Sequence, residues 1–440
     1  MSFPAPSRRE FLAYGTGFWI ASRPGPAQEK GPNSKLAIGV IGADGMGYGN
    51  VKGVSSETIA ALCDVDEARL AKAAKDHPKA NRYIDYRVML DKEKGLDALV
   101  VSTPDHTHAV ATMAALKLGK HVYCEKPLTH SVWEARTVAA EAARSGKATQ
   151  MGTRMHASEV IRRTVEFIQA GAVGPVREVH AWTDRPIWPQ GIDRPEGAMP
   201  TPPLLNWDLW LGPAPERPYH SAYHPFSWRG WWDFGTGAMG DMACHILDAP
   251  FWALKLGAPA TIEAEGEPRK PETGPLWSTI RYEFPARAEL PPVKLTWYEG
   301  RKGKDANGKD LMNLPPPELF RGAKADTNGV LFVGDKGALL YNYGAQPLLL
   351  PREDFADFKP PAPTLPRAPG NNHYQDWIQA CKGGPKAGSS FDYAGPLTEL
   401  VLLGVAAFRA GQRIEWDAAN LKAPEAESFI RREYRKGWSL

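Results

Sequence analysis

Lys35-Leu36-Ala37-Ile38-Gly39-Val40-Ile41-Gly42-Ala43-Asp44-Gly45-Met46-Gly47 is a short apolar run that breaks into a turn dense in glycine. The run from Lys35 to Ile41 follows a Pro- and Gly-rich stretch, 24–34, and predicts a buried strand. Glycines placed after such a strand and before a helix let the backbone approach a pyrophosphate at the helix N-terminus. The usual spacing is Gly-x-Gly-x-x-Gly. Gly42 and Gly47 fit its two ends, but Asp44 stands at the middle glycine and Gly45 follows it. The turn alone therefore decides little. A second buried strand, Ile59 to Cys63, leads into Asp64, 22 positions past Gly42. A carboxylate there accepts hydrogen bonds from an adenosine ribose and repels a 2′-phosphate, so NAD is expected rather than NADP. Arg69, at the start of the next helix, either lies over the adenine or is a solvated surface arginine.

The same alternation continues outward. Ala68 to Ala74 begins a helix, Leu96 to Ser102 is a strand, and Ala109 to Leu118 is helical up to Gly119. Val122 to Cys124 is a strand, Val132 to Arg144 a helix, and Ala148 to Met151 a strand again. Strands and helices of these lengths predict a parallel sheet covered on both faces, spanning 35–152. Beyond it the pattern changes. A helix over Val160 to Ala170 and a strand over Val176 to Thr183 precede a Pro- and Trp-rich loop region from Arg185 to Trp232. Further strands are expected at Ala260 to Ala264, Ser278 to Phe284, Val293 to Tyr298, Gly329 to Val333 and Ala338 to Asn342. Helices are expected at His373 to Cys381 and Leu397 to Ala410. The class is α/β: an N-terminal Rossmann dinucleotide-binding domain, then an α+β domain, 153–440, with a large, mostly antiparallel sheet.

Two segments are more specific. They are Ser102-Thr103-Pro104-Asp105-His106-Thr107-His108 and Gly119-Lys120-His121-Val122-Tyr123-Cys124-Glu125-Lys126-Pro127. With them the chain from Lys35 onward resembles the glucose–fructose oxidoreductase, inositol dehydrogenase and MocA family, written Gfo/Idh/MocA. The resemblance implies that Pro104 lies near the nicotinamide and that the Glu-Lys-Pro segment supplies an active-site lysine, Lys126. The candidate cofactor contacts are then Gly42, Gly45, Met46, Gly47, Asp64, Arg69, Thr103, Pro104, His108, Glu125 and Lys126. An ammonium in a partly dry pocket beside an oxidised nicotinamide hydrogen-bonds a substrate hydroxyl and eases its deprotonation.

In the second domain, Gly240-Asp241-Met242-Ala243-Cys244-His245-Ile246-Leu247-Asp248 places Asp241, His245 and Asp248 on one helical face at i, i+4 and i+7. The family's Asp-x-x-x-His pair maps onto Asp241 and His245, which implies His245 as general acid/base and Asp241 as its partner, both close to Lys126. Asp248 either reaches substrate or braces the helix. Two ligands with no third nearby make a metal site improbable, and none is expected. Seven tryptophans lie between Trp182 and Trp232, interleaved with Tyr219, Tyr223, Arg185, Arg194 and Arg229. Flat rings suit sugar faces, although most of these are expected to pack a loop-rich core. Arg185, Trp188, Arg229, Trp232 and Asp248 are the substrate candidates.

Bulk properties set the context. A net charge of +3 with no long basic run gives no reason to expect a nucleic-acid partner. Cys63, Cys124, Cys244 and Cys381 form no Cys-x-x-Cys pair and read as buried free thiols. Arg8-Arg9 ahead of the short apolar run Phe11 to Ala21 resembles a twin-arginine export signal, with 1–34 as signal and linker and a periplasmic or extracytoplasmic destination. The run is too short to span a bilayer. The expected activity is reversible hydride transfer between a sugar or polyol carbon and NAD. The alternative is an NAD-dependent glycoside hydrolase working by transient oxidation, elimination and re-reduction, which suits an exported enzyme with no external NAD pool. A sugar-binding or assembly protein that has kept the fold is a third reading. The resemblance also implies a homo-oligomer formed through the second domain's sheet.

Overall fold

The computed structural model describes residues 34–440, so the proposed export signal lies outside the described residues. The first part of the chain runs β1 (Ala37–Ile41), α1 (Met46–Gly53), β2 (Thr58–Cys63), α2 (Glu67–Asp76), β3 (Asn81–Tyr83), α3 (Tyr86–Lys92), β4 (Ala98–Val101), α4 (Asp105–Lys117), β5 (His121–Cys124), α5 (Val132–Ser145) and β6 (Thr149–Met151). Its six strands form one parallel sheet in the order β3-β2-β1-β4-β5-β6. The order reverses between β1 and β4, and at such a switch the strand ends open a crevice for a ligand.

Period-2 alternation divides each strand between two cores. Ile38, Val40, Leu62, Ala98, Val100 and Tyr123 face one side, while Ile41, Cys63, Leu99, Val101, Val122 and Cys124 face the other. Both faces are buried, which is why the strands read as continuous apolar runs. One covering element comes from far along the chain. Trp377 and Ile378, on a helix 230 residues or more beyond most of their neighbours, complete the first of these cores.

The chain continues through α6 (Glu159–Gln169), β7 (Val176–Thr183), α7 (Trp207–Leu211), α8 (Gly237–Ile246), α9 (Asp248–Ala253), β8 (Thr261–Gly266), β9 (Trp277–Phe284), β10 (Val293–Lys304), β11 (Asp310–Met312), β12 (Asn328–Gly334), β13 (Gly337–Asn342), β14 (Leu348–Leu350), α10 (His373–Cys381), α11 (Phe391–Ala410), β15 (Ile414–Glu415) and α12 (Glu427–Ile430). Nine strands make a second sheet, β14-β13-β12-β7-β10-β9-β8-β15 with β11 on β10. It is antiparallel except where β7 and β10 pair in parallel. α11 is long and apolar enough to cross a bilayer, yet 83% of its most apolar window is buried in the fold. It is the central helix of the larger core, tied to α5 by a two-pronged bond from Arg136 to Glu399 at 2.8–2.9 Å.

Candidate functional site

A cleft of about 580 Å³ follows the C-terminal ends of β1, β2, β4 and β5 and is closed on the far side by residues of the second domain. One end is built from the glycine turn. Gly42 has φ +82°, where a Cβ would stand 2.6 Å from the Ser102 carbonyl oxygen, and a Cβ on Gly47 would run into the Gly42 carbonyl. Gly45, also at positive φ, starts α1 with no side-chain cap. Asp44, out of place in the usual pattern, forms ion pairs with Lys72 (2.8 Å) and Arg69 (3.2 Å). Burial pushes its carboxyl up, but the two cations outweigh that and hold it below the ordinary range. Arg69 is thereby drawn along the cleft wall rather than into solvent.

Asp64 accepts hydrogen bonds from the Ala43 N–H at 2.9 Å and the Asp66 N–H at 3.0 Å, one on each oxygen. Each oxygen keeps a lone pair for a further donor. Burial raises its pKa to about 6 against those bonds. Deeper in, Thr103 lines the cleft and its hydroxyl is buried with no partner. Met46, Pro104 and Glu125 line it as well, and Glu125 is fixed by Asn50 Nδ2 at 2.9 Å. Asn50 is itself held by Tyr374 OH at 2.8 Å. A Cβ-free turn, a carboxylate with open lone pairs and an orphaned buried hydroxyl along one crevice fit a dinucleotide.

The other end carries charge. The Lys126 ammonium lies 2.6 Å from Asp241 Oδ1 and 3.0 Å from the Asp241 carbonyl oxygen, bridging the two domains. Arg229 Nε donates to the same Oδ1 at 3.4 Å, and its guanidinium lies over Trp228 at 4.3 Å and Phe226 at 4.9 Å. Burial works to lower the Lys126 pKa, but Asp241 outweighs it and the ammonium is held above its ordinary value. Burial raises Asp241 in turn, and Lys126 and Arg229 more than reverse that. His245 is one turn further along α8, behind Asp241, and does not itself line the cleft. Burial and the Lys126 charge push its imidazole down to about 3, and its Nδ1 is buried with no partner. It is thus neutral, as a proton acceptor must be. The expected Asp241–His245 contact is replaced by Asp241–Lys126, because a salt bridge to an ammonium satisfies the carboxylate better than a neutral ring.

Several sequence candidates point elsewhere. His108 is fully buried, with Nδ1 2.7 Å from the Pro127 carbonyl and Nε2 2.8 Å from the Thr103 carbonyl, and does not line the cleft. The reason is that α4 begins at Asp105, not Ala109, so His108 sits in its first turn facing inward. It ties together the two loops that carry Thr103 and Lys126. Asp248 is also fully buried, bonded to His156 Nδ1 at 2.9 Å and to the Tyr393 hydroxyl at 2.5 Å, so it braces the start of α9 and does not reach the cleft. Trp188 donates to Gln190 Oε1 at 2.8 Å, Trp232 lies under Arg409, and Arg185 pairs with Asp184; none lines the cleft. Among the substrate candidates only Arg229 does. Residues the sequence reading did not select are Asp105, which accepts from Thr236 Oγ1 at 2.8 Å, together with Phe226, Trp228, Tyr86 and Trp438. Asp105 stood inside a segment already singled out; Trp438 carried no local signal. Among the described residues no group of three His, Cys, Asp or Glu is arranged to hold a metal.

Residues 36–153 match a family described as "Oxidoreductase family, NAD-binding Rossmann fold", and residues 185–292 match its "C-terminal alpha/beta domain". The first domain is thus an NAD-binding Rossmann domain. Inositol 2-dehydrogenase 1 of Saccharopolyspora erythraea is 33% identical over 151 residues, 33% of this chain and 44% of that protein. The chain spans about half the length of the curated relatives it matches. Two solved structures share the fold at 16% identity. They are the WlbA dehydrogenase of Bordetella pertussis with NADH and UDP-GlcNAcA (TM-score 0.59, 87% of this chain, 99% of that one) and an inositol dehydrogenase homolog of Azotobacter vinelandii with NADH and myo-inositol (TM-score 0.56, 87% and 98%).

Proposed function

The chain belongs to the Gfo/Idh/MocA oxidoreductase family, and we propose that it is an NAD-dependent dehydrogenase acting on a carbon–hydroxyl group of a sugar or polyol. The observation that carries this is the Lys126–Asp241 pair at the end of a dinucleotide cleft, with a neutral imidazole one turn away. The glycine turn, Asp64 and Thr103 would hold the cofactor. When bound, its nicotinamide accepts or returns a hydride at C4. Lys126, kept protonated by Asp241, hydrogen-bonds the substrate oxygen and stabilises the negative charge that develops there. His245, held neutral, is the acceptor for the hydroxyl proton; burial and the Lys126 charge make it a weaker base than an ordinary imidazole, so the hydrogen bond from Lys126 to the oxygen has to make the hydroxyl more acidic for the transfer to occur. Asp241 anchors Lys126, and Arg229, held flat by Phe226 and Trp228, closes the wall. The names of the related proteins, which include enzymes acting on inositol, support a polyol or sugar as substrate.

The test is to assay NADH formation from free sugars, polyols and aryl glycosides with the native enzyme and His245→Ala. The native enzyme should reduce NAD with at least one polyol or sugar. The variant should bind NAD unchanged but lose about 10²-fold or more in turnover. Undiminished turnover overturns the role of His245. Glycoside cleavage without net NADH would replace net oxidation by a redox-neutral cycle. Arg8-Arg9 supports export, and an exported enzyme of either kind has to retain its NAD through each turnover.

A further inference from the structure

Segment 431–440 runs from α12 back across the Rossmann domain and is pinned along its length. Arg432 Nε and the Tyr434 hydroxyl both donate to Glu134 Oε1 on α5, at 2.7 and 2.6 Å. Arg435 donates to the carbonyls of Asp208 and Gly212 at 2.9 and 3.1 Å, and its own N–H meets the Pro213 carbonyl at 3.1 Å. These bonds deliver Trp438, half-buried, to the start of α3. Its ring centroid is 6.3 Å from that of Tyr86, and the Arg87 guanidinium lies 4.6 Å over it. Arg87 is immobilised in turn by Asp85 at 2.7 Å. The Trp438 ring lines the same cleft as Asp64, Val65, Ile84 and Tyr86.

Asp64 marks where a ribose would sit, so the base beyond it falls among these residues. We infer that Trp438 forms one wall of the adenine subsite and slows release of the dinucleotide. An indole held by an arginine on one face offers a rigid apolar surface at little entropic cost, and base–aromatic packing of this kind is tolerant of base edge chemistry. Trp438 packs on Tyr86 and Arg87 and makes no contact with Lys126 or Asp241, so the effect belongs to the adenosine half of the cofactor. The inference rests on reading the cleft as a dinucleotide site.

Trp438→Ala and Trp438→Phe are compared with the native protein for binding of NAD, ADP-ribose and reduced nicotinamide mononucleotide by calorimetry, and for NAD release by stopped-flow fluorescence. Trp438→Ala should weaken NAD and ADP-ribose by about tenfold and speed NAD release by a similar factor. Trp438→Phe should retain most of both. Binding of the mononucleotide should not change, which also shows that the fold is intact. Equal affinity of the native protein and Trp438→Ala for ADP-ribose overturns the assignment, as does an equal loss for the mononucleotide. Failure of the native protein to bind NAD or ADP-ribose at all would instead overturn the dinucleotide reading itself.

Discussion

Asp64 is a carboxylate that burial holds near a pKa of about 6 while two backbone N–H groups and Arg69 pull it down and Asp66 pushes it up. A folded-state pKa raised above 3.8 means that ionising Asp64 costs the free protein stability as pH rises through about 6. Ribose hydroxyls donate more strongly to the ionised form, so bound NAD lowers that pKa and its binding releases a proton below about pH 6. NAD affinity should therefore be flat above about pH 6.5 and fall by up to about tenfold per unit below pH 6. Calorimetry across pH 5 to 8 reads it directly, and Asp64→Asn should bind weakly with that pH dependence removed. An unchanged slope in the variant would assign the dependence to another group. Asp64 was legible from the sequence because a strand end and a fixed separation from Gly42 place it by local geometry. Lys126 was legible for a different reason, through the family resemblance that its Glu-Lys-Pro context carries. The resemblance placed Lys126 close to Asp241 and His245, but that Asp241 bonds Lys126 rather than His245 was not legible, since helical spacing sets Asp241 beside His245 and does not say which partner it takes. His108, Trp188 and Trp232 were misjudged alike: residue type suggests chemistry, but the direction of the side chain is decided by packing.

At the scale of elements, the long strands were readable because those of the first sheet are buried on both faces and read as continuous apolar runs, while β9 and β10 of the second alternate buried and exposed residues. β3, β11, β14 and β15 were not, for each has three residues or fewer and pairs at a sheet edge, where register comes from the neighbour and not from periodicity. α11 begins at Phe391, six residues before the apolar repeat suggested, because Pro396 falls near its start. Pro396 is the sixth residue of the helix and lacks the N–H that would bond the Asp392 carbonyl, so a reading of the sequence starts the helix after it. The junction of α8 and α9 matters most for function, as it sets the pitch of the helix that carries Asp241 and His245. Asp248 anchors it through His156 and Tyr393, and His156 is stacked on Trp252 at 4.2 Å. Asp248→Ala should cost about 3 kcal/mol, because it strands a buried imidazole and a buried hydroxyl together. Tyr393→Phe should cost about 1 kcal/mol, since one donor is lost and the carboxylate keeps its other partner. Urea denaturation measures both; a loss under 0.5 kcal/mol for Asp248→Ala would show that α9 is held by its apolar face instead. A smaller but related constraint lies at Gly47. Alanine there has no room beside the Gly42 carbonyl, so Gly47→Ala should remove NAD binding before it removes the fold.

The molecule as a whole is stitched across its two sheets rather than hinged between them. α10 leaves the second part of the chain to complete the Rossmann core, with Trp377 fully buried against Tyr123 at 5.7 Å and Tyr374 stacked on the same ring at 5.5 Å. Through the Tyr374 hydroxyl and Asn50 this contact reaches Glu125, next to Lys126. α5 is bound to α11 by Arg136 and Glu399, and Lys126 reaches across to Asp241. Apart from the closeness of Lys126 to Asp241, which the family resemblance implies, none of these long-range ties is visible in the sequence, where the partners lie far apart and no local pattern links them. They carry a thermodynamic consequence. With a shared core, neither half can open without exposing the other's apolar surface, so unfolding should be a single cooperative transition by fluorescence and by circular dichroism. Trp377→Ala removes a large side chain from that shared core and should cost about 3–5 kcal/mol. The loss should lower the midpoint of the whole transition, not split it. Saturating NAD should raise the midpoint of native protein and variant alike, because it binds only the folded cleft. Two separate transitions in the native protein, with NAD shifting only the first, would show that the two halves are independent and that α10 merely rests on the sheet it completes.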